Sequence, residues 1–558
     1  MVRGFYLKVT RAKGHTYAQL ARSHRDGSTV RSEILQNFGR VTDGQITSLR
    51  AWLASNPLTF RAGAGLLSAL PRIRVLRSWQ YGRVALGHFL WRDLGLHHAV
   101  LEALNGVPNK ARVGRLIELM VLNRLDDPTS KLGLLDWMPG SAAPFLLGLP
   151  TAAVHDNWFY RAMDRLWSRR DSLEERLYER VVRPTTRPPT ILYHDLTSSY
   201  YEGQGGPLAR FGYSRDHRGD RPQITWGMVV TPEGLPITMQ VYPGNTTDST
   251  TVVAMRERLT GVFGIREGIY VGDRGMKTTE VLEDLHRHGF HYVLAEVNRN
   301  VEEVLREAPT HRAVPIGEHN VAREVIGEDG RRFVVLLNPE RRRQELETLE
   351  RRVAQGRAIL EQLRRSLAKG PERHHHRILR QAHAALEVKG LSDLFELDWD
   401  EDTLQGLTAQ LKERVARRKR EAGWWVLTTD TELPVAQVAQ LYLGLGIIEQ
   451  GWREIKSVLE VRPLHHRLDR RVEAHLLICL LAYLLQQILE LRLKRANVPM
   501  TGPRAVETFQ SVVLNEVEIG ETGVRRQIVT ELEGDHQTIL RAAGIGAGSF
   551  QKGWERLE

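Results

Sequence analysis

The sequence predicts an α/β protein of several domains: a mostly helical N-terminal region with a small β-rich start, then a core of strands and helices that a large insertion interrupts. A chain of 558 residues is too long for one compact core. Its middle part alternates apolar runs with amphipathic segments, and a long charged stretch breaks that pattern before it returns. These observations predict five regions: 1–185, 186–300, 301–422, 423–500 and 501–558.

Residues 1–185 are predicted to form a small β unit followed by helices. Up to about residue 45 apolar and polar residues alternate, as in FYLKVT. From about residue 85 onward apolar residues recur every three or four positions, as in RVGRLIELMVLNRL. The Pro- and Thr-rich segment RPTTRPPT then marks a boundary.

Residues 186–300 contain seven predicted elements. Three strands come first, TILYHDL, PQITWGMVVTP and LPITMQVYPG, and the turn PEG joins the last two as in a hairpin. The helix DSTTVVAMRERLTGVFG, the strand EGIYVGDRG, the helix KTTEVLEDLHRHG and the strand FHYVLAEV follow. This β-β-β-α-β-α-β order describes an RNase H-like core, whose topology places carboxylates from the first and fourth strands side by side at the centre of the sheet.

The last three predicted regions are an insertion, the end of the core and a tail. Residues 301–422 mix short strands with long charged helices, which indicates an insertion. In residues 423–500, WWVLTTD predicts a strand and PVAQVAQLYLGLGIIEQGWREIKSVLE predicts one long helix. Residues 501–558 show a moderate helical pattern and carry no motif.

Charge, cysteine content and hydropathy limit the function classes. The formal net charge of +11 favours a polyanionic partner, although a GC-rich genome that enriches Arg gives the same excess. The single cysteine, Cys479, excludes an intrachain disulfide and a zinc site built from thiolates. The longest apolar run, LLICLLAYLL, is too short to cross a bilayer, which predicts a buried helix. We therefore expect a cytoplasmic protein that is not associated with a membrane.

Three acids have a context that predicts chemistry. Asp195 ends the first core strand, Asp273 ends the fourth, and Glu449 lies on the late helix. Each alone has a structural explanation, as a turn residue, a helix cap or an i,i+4 partner of Arg453. Together they offer the oxygen ligands that Mg²⁺ prefers. Two such ions, about 3.5–4 Å apart, can activate a water or hydroxyl and stabilise the leaving oxygen of a phosphodiester.

The late helix carries two overlapping patterns. Tyr442, Glu449 and Lys456 are seven residues apart, which on a continuous helix places them on one face with a drift of about 20° per heptad. A row of salt bridges at the edge of packing is the alternative explanation. An apolar stripe is predicted to dock the helix: Leu445, Ile448, Trp452, Ile455 and Leu459.

These residues resemble the DDE transposases of bacterial insertion sequences, in the group marked by the Y-R-E-K signature Y-x(2)-R-x(3)-E-x(6)-K. The chain has Tyr442, Glu449 and Lys456 at the right spacing, and Leu445 in place of the Arg. Further segments are also similar to the group: HDLTSSYYEG, GNTTDSTT, GDRGM, YVLAE and NRLDDPTSKLGLLDW. The resemblance covers most of the chain.

The resemblance implies roles for the three acids. Asp195, Asp273 and Glu449 would be the catalytic residues and would hold two Mg²⁺ ions, for which Mn²⁺ can substitute. The protein would act at the bacterial nucleoid, where residues 1–185 would bind the terminal inverted repeats of its element in double-stranded DNA. It would cleave at the transposon ends and join the 3′-hydroxyls to target DNA. Bringing two ends together implies at least a homodimer.

The resemblance also implies DNA contacts on the late helix. Tyr442 and Lys456 would contact the DNA phosphate near the cut end. Leu445 lacks the phosphate contact of the signature Arg, and the nearby Arg453 is the candidate substitute.

Two other functions stay open at this stage. An RNase H-like nuclease would cut DNA without strand transfer, and a catalytically inactive relic would only bind it. None of the three acids is missing, which argues against the relic.

Four smaller features carry weaker expectations. His194 alternates to the other face of the strand from Asp195, which favours a structural role. The run His374–His376 is expected to be solvated. The cluster RVARRKR at Arg414–Arg420 is either a phosphate-contacting patch or a solvated face. The polar stretch Ser214–Gln223 is a candidate loop near the DNA.

Overall fold

A computed structural model describes most of the chain, and it divides into two compact units, Met1–Arg165 with Leu484–Glu558, and Leu166–Tyr483. The described residues are 5–12, 15–26, 29–55, 73–150, 154–185, 191–296, 298–307, 312–367, 375–399, 407–519 and 524–552.

The strands account for four sheets within these ranges. They are β1 (Phe5–Ala12), β2 (His15–Asp26), β3 (Thr29–Arg40), β4 (Ile73–Gln80), β5 (Ile191–Tyr200), β6 (Gln223–Val230), β7 (Pro236–Pro243), β8 (Gly268–Gly272), β9 (Phe290–Ala295), β10 (Val314–Ile316), β11 (Asn320–Ile326), β12 (Arg332–Leu337), β13 (Phe395–Trp399), β14 (Leu407–Leu411), β15 (Trp424–Thr429), β16 (Val513–Ile519) and β17 (Val524–Val529).

The α-helices lie between and around these sheets. They are α1 (Asp43–Ser55), α2 (Gly82–Asp93), α3 (Leu96–Ala103), α4 (Lys110–Asp126), α5 (Leu134–Trp137), α6 (Ala143–Leu147), α7 (Asp156–Trp167), α8 (Arg170–Leu177), α9 (Asp248–Phe263), α10 (Thr279–Arg287), α11 (Asn298–Glu307), α12 (Pro339–Leu367), α13 (His375–Val388), α14 (Glu413–Glu421), α15 (Val435–Leu443), α16 (Gly446–Arg453), α17 (Asp469–Arg495), α18 (Gly502–Thr508), α19 (Gly534–Ala542) and α20 (Ala547–Lys552).

The first unit contains two small antiparallel sheets and a set of helices. β1, β2 and β3 pair in chain order, and Ala18, Val41 and Ile46 form a small apolar cluster beside them. This sheet confirms the predicted β-rich start. The second sheet has the order β17-β16-β4, so β4, which lies between α1 and α2 in the chain, pairs with β16 from the C-terminal part of the chain.

The second unit is built on a nine-stranded sheet with the order β10-β11-β12-β15-β9-β8-β5-β6-β7. β5, β6 and β7 are antiparallel neighbours, whereas β8 runs parallel to β5 and to β9. Strand order β7-β6-β5-β8-β9 is that of the predicted RNase H-like core, which is therefore confirmed. Every residue of β6 and β8 is buried, because α-helices and neighbouring strands cover both faces.

The residues between β9 and β15 contribute to two different structures. β10, β11 and β12 extend the core sheet, because β12 pairs with β15 and β15 pairs with β9. α12, α13 and the hairpin β13–β14 pack around their own apolar cluster, which includes Leu349, Leu360 and Phe395. The short strands and long charged helices predicted for this stretch are present, and three of the strands join the sheet of the core.

The predicted single late helix is wrong in one respect, because the structure interrupts it. α15 ends at Leu443, α16 begins at Gly446, and a π-helical turn follows over Glu454–Val458. Leu445 N–H donates to the Tyr442 carbonyl at 3.0 Å, which is the tighter i→i−3 pattern. A Cβ at Gly444 would overlap the hydroxyl of Tyr193, so the absence of a side chain at this position permits the close approach to β5.

One described helix, α17, is long and apolar enough to cross a membrane by length and composition. Of its most apolar window, 89% is buried inside the protein, as in the core helix of a globular protein. The buried helix predicted for LLICLLAYLL is therefore confirmed. Cys479 is a buried thiol on this helix, with its Sγ 4.0 Å from His475 Nε2.

Candidate active site

Asp195 lies in the middle of β5, not at its end as predicted, because the strand continues to Tyr200. The indole N–H of Trp452 donates to Asp195 Oδ2 at 2.9 Å. Burial raises the pKa of Asp195 to about 6, the bond from Trp452 lowers it, and the charge of Asp273 raises it. The carboxylate is thus held in one orientation beside a second negative charge.

Asp273 directly follows β8 and caps a short 3-10 turn, Arg274–Met276, by accepting from Arg274 N–H at 2.7 Å. The parallel register of β5 and β8 pairs Tyr193 with Val271. The same register continued by two residues places Asp195 beside Asp273. The fold thus brings together Asp195 and Asp273, the two strand acids predicted from the sequence, at the end of β8.

Glu449 is exposed on α16. The hydroxyl of Tyr442 on α15 is close enough to feel the charges of both Glu449 and Asp273. Burial raises the pKa of the Tyr442 hydroxyl, and the charges of Asp273 and Glu449 raise it further. Over the described ranges, no three His, Cys, Asp or Glu side chains are close enough together to hold one metal ion. Among these residues, Glu449 therefore does not form one cluster with Asp195 and Asp273 in this structure.

A cleft of about 780 Å³ opens beside Asp273 and Tyr442. Residues from the stretch between β9 and β15, and the start of β15 itself, line much of it. They include three arginines and two tryptophans, Arg341, Arg352, Arg418, Trp424 and Trp425, and also the acids Glu296, Glu345 and Glu421. The guanidinium of Arg341 lies 4.6 Å from the ring centre of Trp425. Arg418, from the basic cluster RVARRKR, also pairs with Asp393 at 3.0 Å. Cationic and aromatic side chains beside paired carboxylates are suited to a nucleic acid backbone and its bases.

Lys456 is buried and is bound within the protein. Its ammonium donates to Asp216 Oδ1 at 2.7 Å, and Arg462 donates to the same oxygen. The side chains of Lys456 and Asp216 are 9% and 2% exposed. Burial lowers the pKa of Lys456, and the bond to Asp216 raises it. Lys456, which was predicted to contact DNA phosphate, is thus bonded to the loop between β5 and β6 in this structure.

The remaining late-helix residues separate into buried and exposed positions. Arg453 is exposed one turn after Glu449. All five residues of the predicted apolar stripe are buried: Leu445, Ile448, Trp452, Ile455 and Leu459. The single continuous helix on which Tyr442, Glu449 and Lys456 were predicted to share one face is interrupted, by the tightened turn at Gly444 and by the later π-turn.

Two contacts in and near the site were not predicted from the sequence, those of Trp452 with Asp195 and of Asp216 with Lys456. Trp452 was assigned to packing only, although its indole holds Asp195. Asp216 lies inside the loop that was singled out, but its pairing with Lys456 had no local signal. The aromatic residue three positions after Glu449 was the available hint for Trp452.

His194 is fully buried, and its ring bonds to the hydroxyl of Tyr270. Burial lowers the pKa of His194 to about 3, so the ring is neutral. This agrees with the structural role predicted for it. Of the run His374–His376, the first residue and the side chains of the other two lie outside the described residues.

Comparison with protein families gives two matches. A model described as "Transposase DDE domain" matches residues 186–485, which is more than half of the chain and includes every candidate site residue. A model described as "IS1634 family transposase, N-terminal domain" matches residues 7–62. No curated protein matches the chain.

Proposed function

Because the chain belongs to the insertion-sequence transposases that carry a DDE domain, we propose that it binds the terminal inverted repeats of its own element, cuts the DNA at those ends and joins the freed 3′-hydroxyls to target DNA. The observation that supports this proposal most directly is the pairing of Asp195 and Asp273 across β5 and β8.

The donor set suits hard divalent cations. Asp195 and Asp273 offer only oxygen ligands, and the charge of Asp273 raises the pKa of Asp195, a repulsion that a cation would relieve. Glu449 would complete the set from α16. Two Mg²⁺ ions, or Mn²⁺ in their place, would activate the attacking oxygen and stabilise the leaving one.

The protein's own groups have defined tasks in this proposal. Trp452 keeps Asp195 oriented, and the Tyr442 hydroxyl donates to a phosphate oxygen at the cut. Arg341 and Arg352 neutralise the DNA backbone along the cleft, and the exposed Arg453 contributes where the signature Arg is replaced by Leu445.

The chemistry consists of two in-line displacements at phosphorus. In the first, a water oxygen attacks the phosphodiester at the transposon end, and the 3′-oxygen leaves and takes up a proton. In the second, that 3′-hydroxyl attacks a target phosphodiester, loses its proton and displaces the target strand's 3′-oxygen. The two ends of one element must be held together for paired joining, so we propose a homodimer on DNA.

The test uses the full chain with DNA that carries the element's own ends. Asp195→Ala, Asp273→Ala and Glu449→Ala should each abolish Mg²⁺-dependent cleavage and leave end binding intact. Glu283→Ala, which removes an exposed carboxylate on α10, is the matched control and should cleave normally. Full cleavage by any of the three site variants would contradict the assignment, and cleavage without joining to a target plasmid would favour a nuclease.

A further inference from the structure

We infer that the loop between β5 and β6 is a stacking platform for unpaired DNA bases beside the cut, with Phe211 and Tyr213 as its stacking residues. This inference rests on the proposed function, because it assigns a partner to a surface next to the same site. Phe211 is 65% exposed and Tyr213 is 81% exposed.

The backbone that carries the two rings is fixed. Arg210 and Gln223 form a β-bridge with N–H···O distances of 3.0 and 2.9 Å. The side-chain amide of Gln223 donates to the Tyr213 carbonyl at 2.9 Å and to the Gly244 carbonyl at 3.0 Å. Between the rings, a Cβ at Gly212 would overlap the Gly244 carbonyl, so this glycine permits direct backbone contact. Both rings are therefore held in solvent by an ordered backbone.

The loop is also attached to the candidate active site. Arg215 N–H donates to Ser198 Oγ at 2.9 Å, three residues beyond Asp195 on the same strand. The guanidinium of Arg215 binds both oxygens of Asp248 at 2.7 and 2.9 Å. On its other side, Asp216 is bound by Lys456, which follows α16. The platform is thus anchored to strand β5 and to the late helix.

Charge and aromatic content together select the occupant. Arg210 is exposed, and its guanidinium donates to the Ala209 carbonyl at 2.8 Å. Arg215 lies 6.0 Å from the Tyr213 ring, and Arg218 lies 4.9 Å from the Tyr200 ring. Exposed aromatic rings between cations are the composition of surfaces that bind single strands, since every base has a π-face and every nucleotide carries a phosphate. The occupant is therefore an unpaired stretch of the DNA strand at the transposon end.

The test measures binding without cleavage. A short single-stranded oligonucleotide that contains 2-aminopurine is titrated with the full chain in EDTA, and anisotropy and base fluorescence are recorded. Phe211→Ala and Tyr213→Ala should each weaken binding about tenfold, within the range for loss of one stacked base, and reduce the quenching that stacking causes. Phe211→Trp and Tyr213→Trp should retain both signals.

Trp167→Ala removes another exposed aromatic side chain, on α7, and should bind like the wild type. Blunt duplex DNA of the same length should bind equally well to wild type and variants. Unchanged single-strand binding and quenching in both alanine variants would overturn the platform, as would an equal loss for duplex. A fall in dimer mass by sedimentation without loss of quenching would mean that a second copy of the chain covers this face.

The same proteins distinguish this inference from the proposed function. Metal-dependent cleavage of the element's ends by the wild type tests the function, and it does not depend on the oligonucleotide result. A wild type that quenches the probe but never cleaves its ends would contradict the function and leave the platform standing. A wild type that cleaves its ends but does not bind the probe would support the proposed function and contradict the platform.

Discussion

Trp452 connects the packing of the late helix with the chemistry of β5. Its ring contacts Trp226 edge-on with centroids 4.7 Å apart, while its N–H holds Asp195. The same side chain therefore docks the helix and orients the carboxylate. A tryptophan in an apolar stripe can pack its ring and still donate a hydrogen bond through its indole N–H. The periodicity of the stripe does not predict that hydrogen bond.

Replacing Trp452 with Phe should retain most of the packing and remove the bond to Asp195. We expect single-turnover cleavage to fall about tenfold to a hundredfold, as for loss of a hydrogen bond to a charged group worth about 1.5–3 kcal/mol, with unchanged end binding. The control is Trp226→Phe, since that indole donates to Ser199 Oγ at 3.1 Å. Equal losses in the two variants would assign the effect to packing.

Asp216 should be essential for stability because it is the buried counter-charge of Lys456. Asp216→Asn should lower the free energy of unfolding by about 3 kcal/mol in urea titrations, since it leaves a buried ammonium without an anion. Adding Lys456→Met should recover most of that loss. Asp220→Asn in the same loop should cost less than about 1 kcal/mol, because this carboxylate is 61% exposed. A stable single variant would show that the pair is dispensable.

At the level of residues, the sequence predicted the strand acids better than the helix residues. The proximity of Asp195 and Asp273 follows from strand order, because β5 and β8 are parallel neighbours, although β5 continues past Asp195. The burial of Lys456 depends on a partner that is far away in sequence, so no local pattern could predict it. The shared face of the three signature residues was predicted for one continuous helix, and the structure interrupts that helix twice.

The interruption between α15 and α16 is the element-scale feature that most affects the site. Gly444 lies against Tyr193, and this contact sets the angle at which α16 presents Glu449. Helical periodicity extends through Gly444 and Leu445 without a break, and both residues keep right-handed helical dihedrals. The tightening is caused by tertiary contact, which propensity and pattern do not contain.

Gly444→Ala should therefore impair both folding and cleavage. The added methyl would overlap the Tyr193 hydroxyl, and overpacking of this kind costs about 1–3 kcal/mol. Tyr193→Phe in the same chain removes that hydroxyl but leaves the ring carbon Cζ 2.8 Å from the added methyl, so it should restore only part of the unfolding free energy and of the cleavage rate. Gly446→Ala is the control, because nothing lies within 4 Å of its added Cβ. A neutral Gly444→Ala variant would show that the junction is adjustable.

The order of the core elements was predictable because each strand is a short apolar run bounded by turn residues. The extension of the sheet by β10, β11 and β12 was not. Whether a strand joins one sheet or another depends on pairing partners, and periodicity reports only that a strand exists. The same limit applies to the pairing of β4 with β16, which are at opposite ends of the chain.

On the scale of the whole molecule, the net charge of +11 and the arginines that line the cleft predict how DNA binding responds to salt and chelation. Removal of divalent ions with EDTA should abolish cleavage and retain end binding.

With six to ten phosphate contacts, the affinity for DNA should fall by roughly 10³–10⁵ between about 50 and 200 mM salt. Gel-shift titrations over this range test the expectation. A flat salt response would exclude a binding mode dominated by phosphate contacts.

The pairing of β9 with β15 has a consequence for synthesis on the ribosome. β9 (Phe290–Ala295) emerges long before β15 (Trp424–Thr429), so the nascent core exposes an unpaired strand edge while the intervening residues are translated. Such an edge is a template for pairing with another chain. Chains terminated before Trp424 should accumulate as aggregates, and in the cell they depend on chaperones. The core sheet is therefore complete only after β15 has been translated, shortly before the late helix. A product truncated before Trp424 lacks both the complete sheet and Glu449.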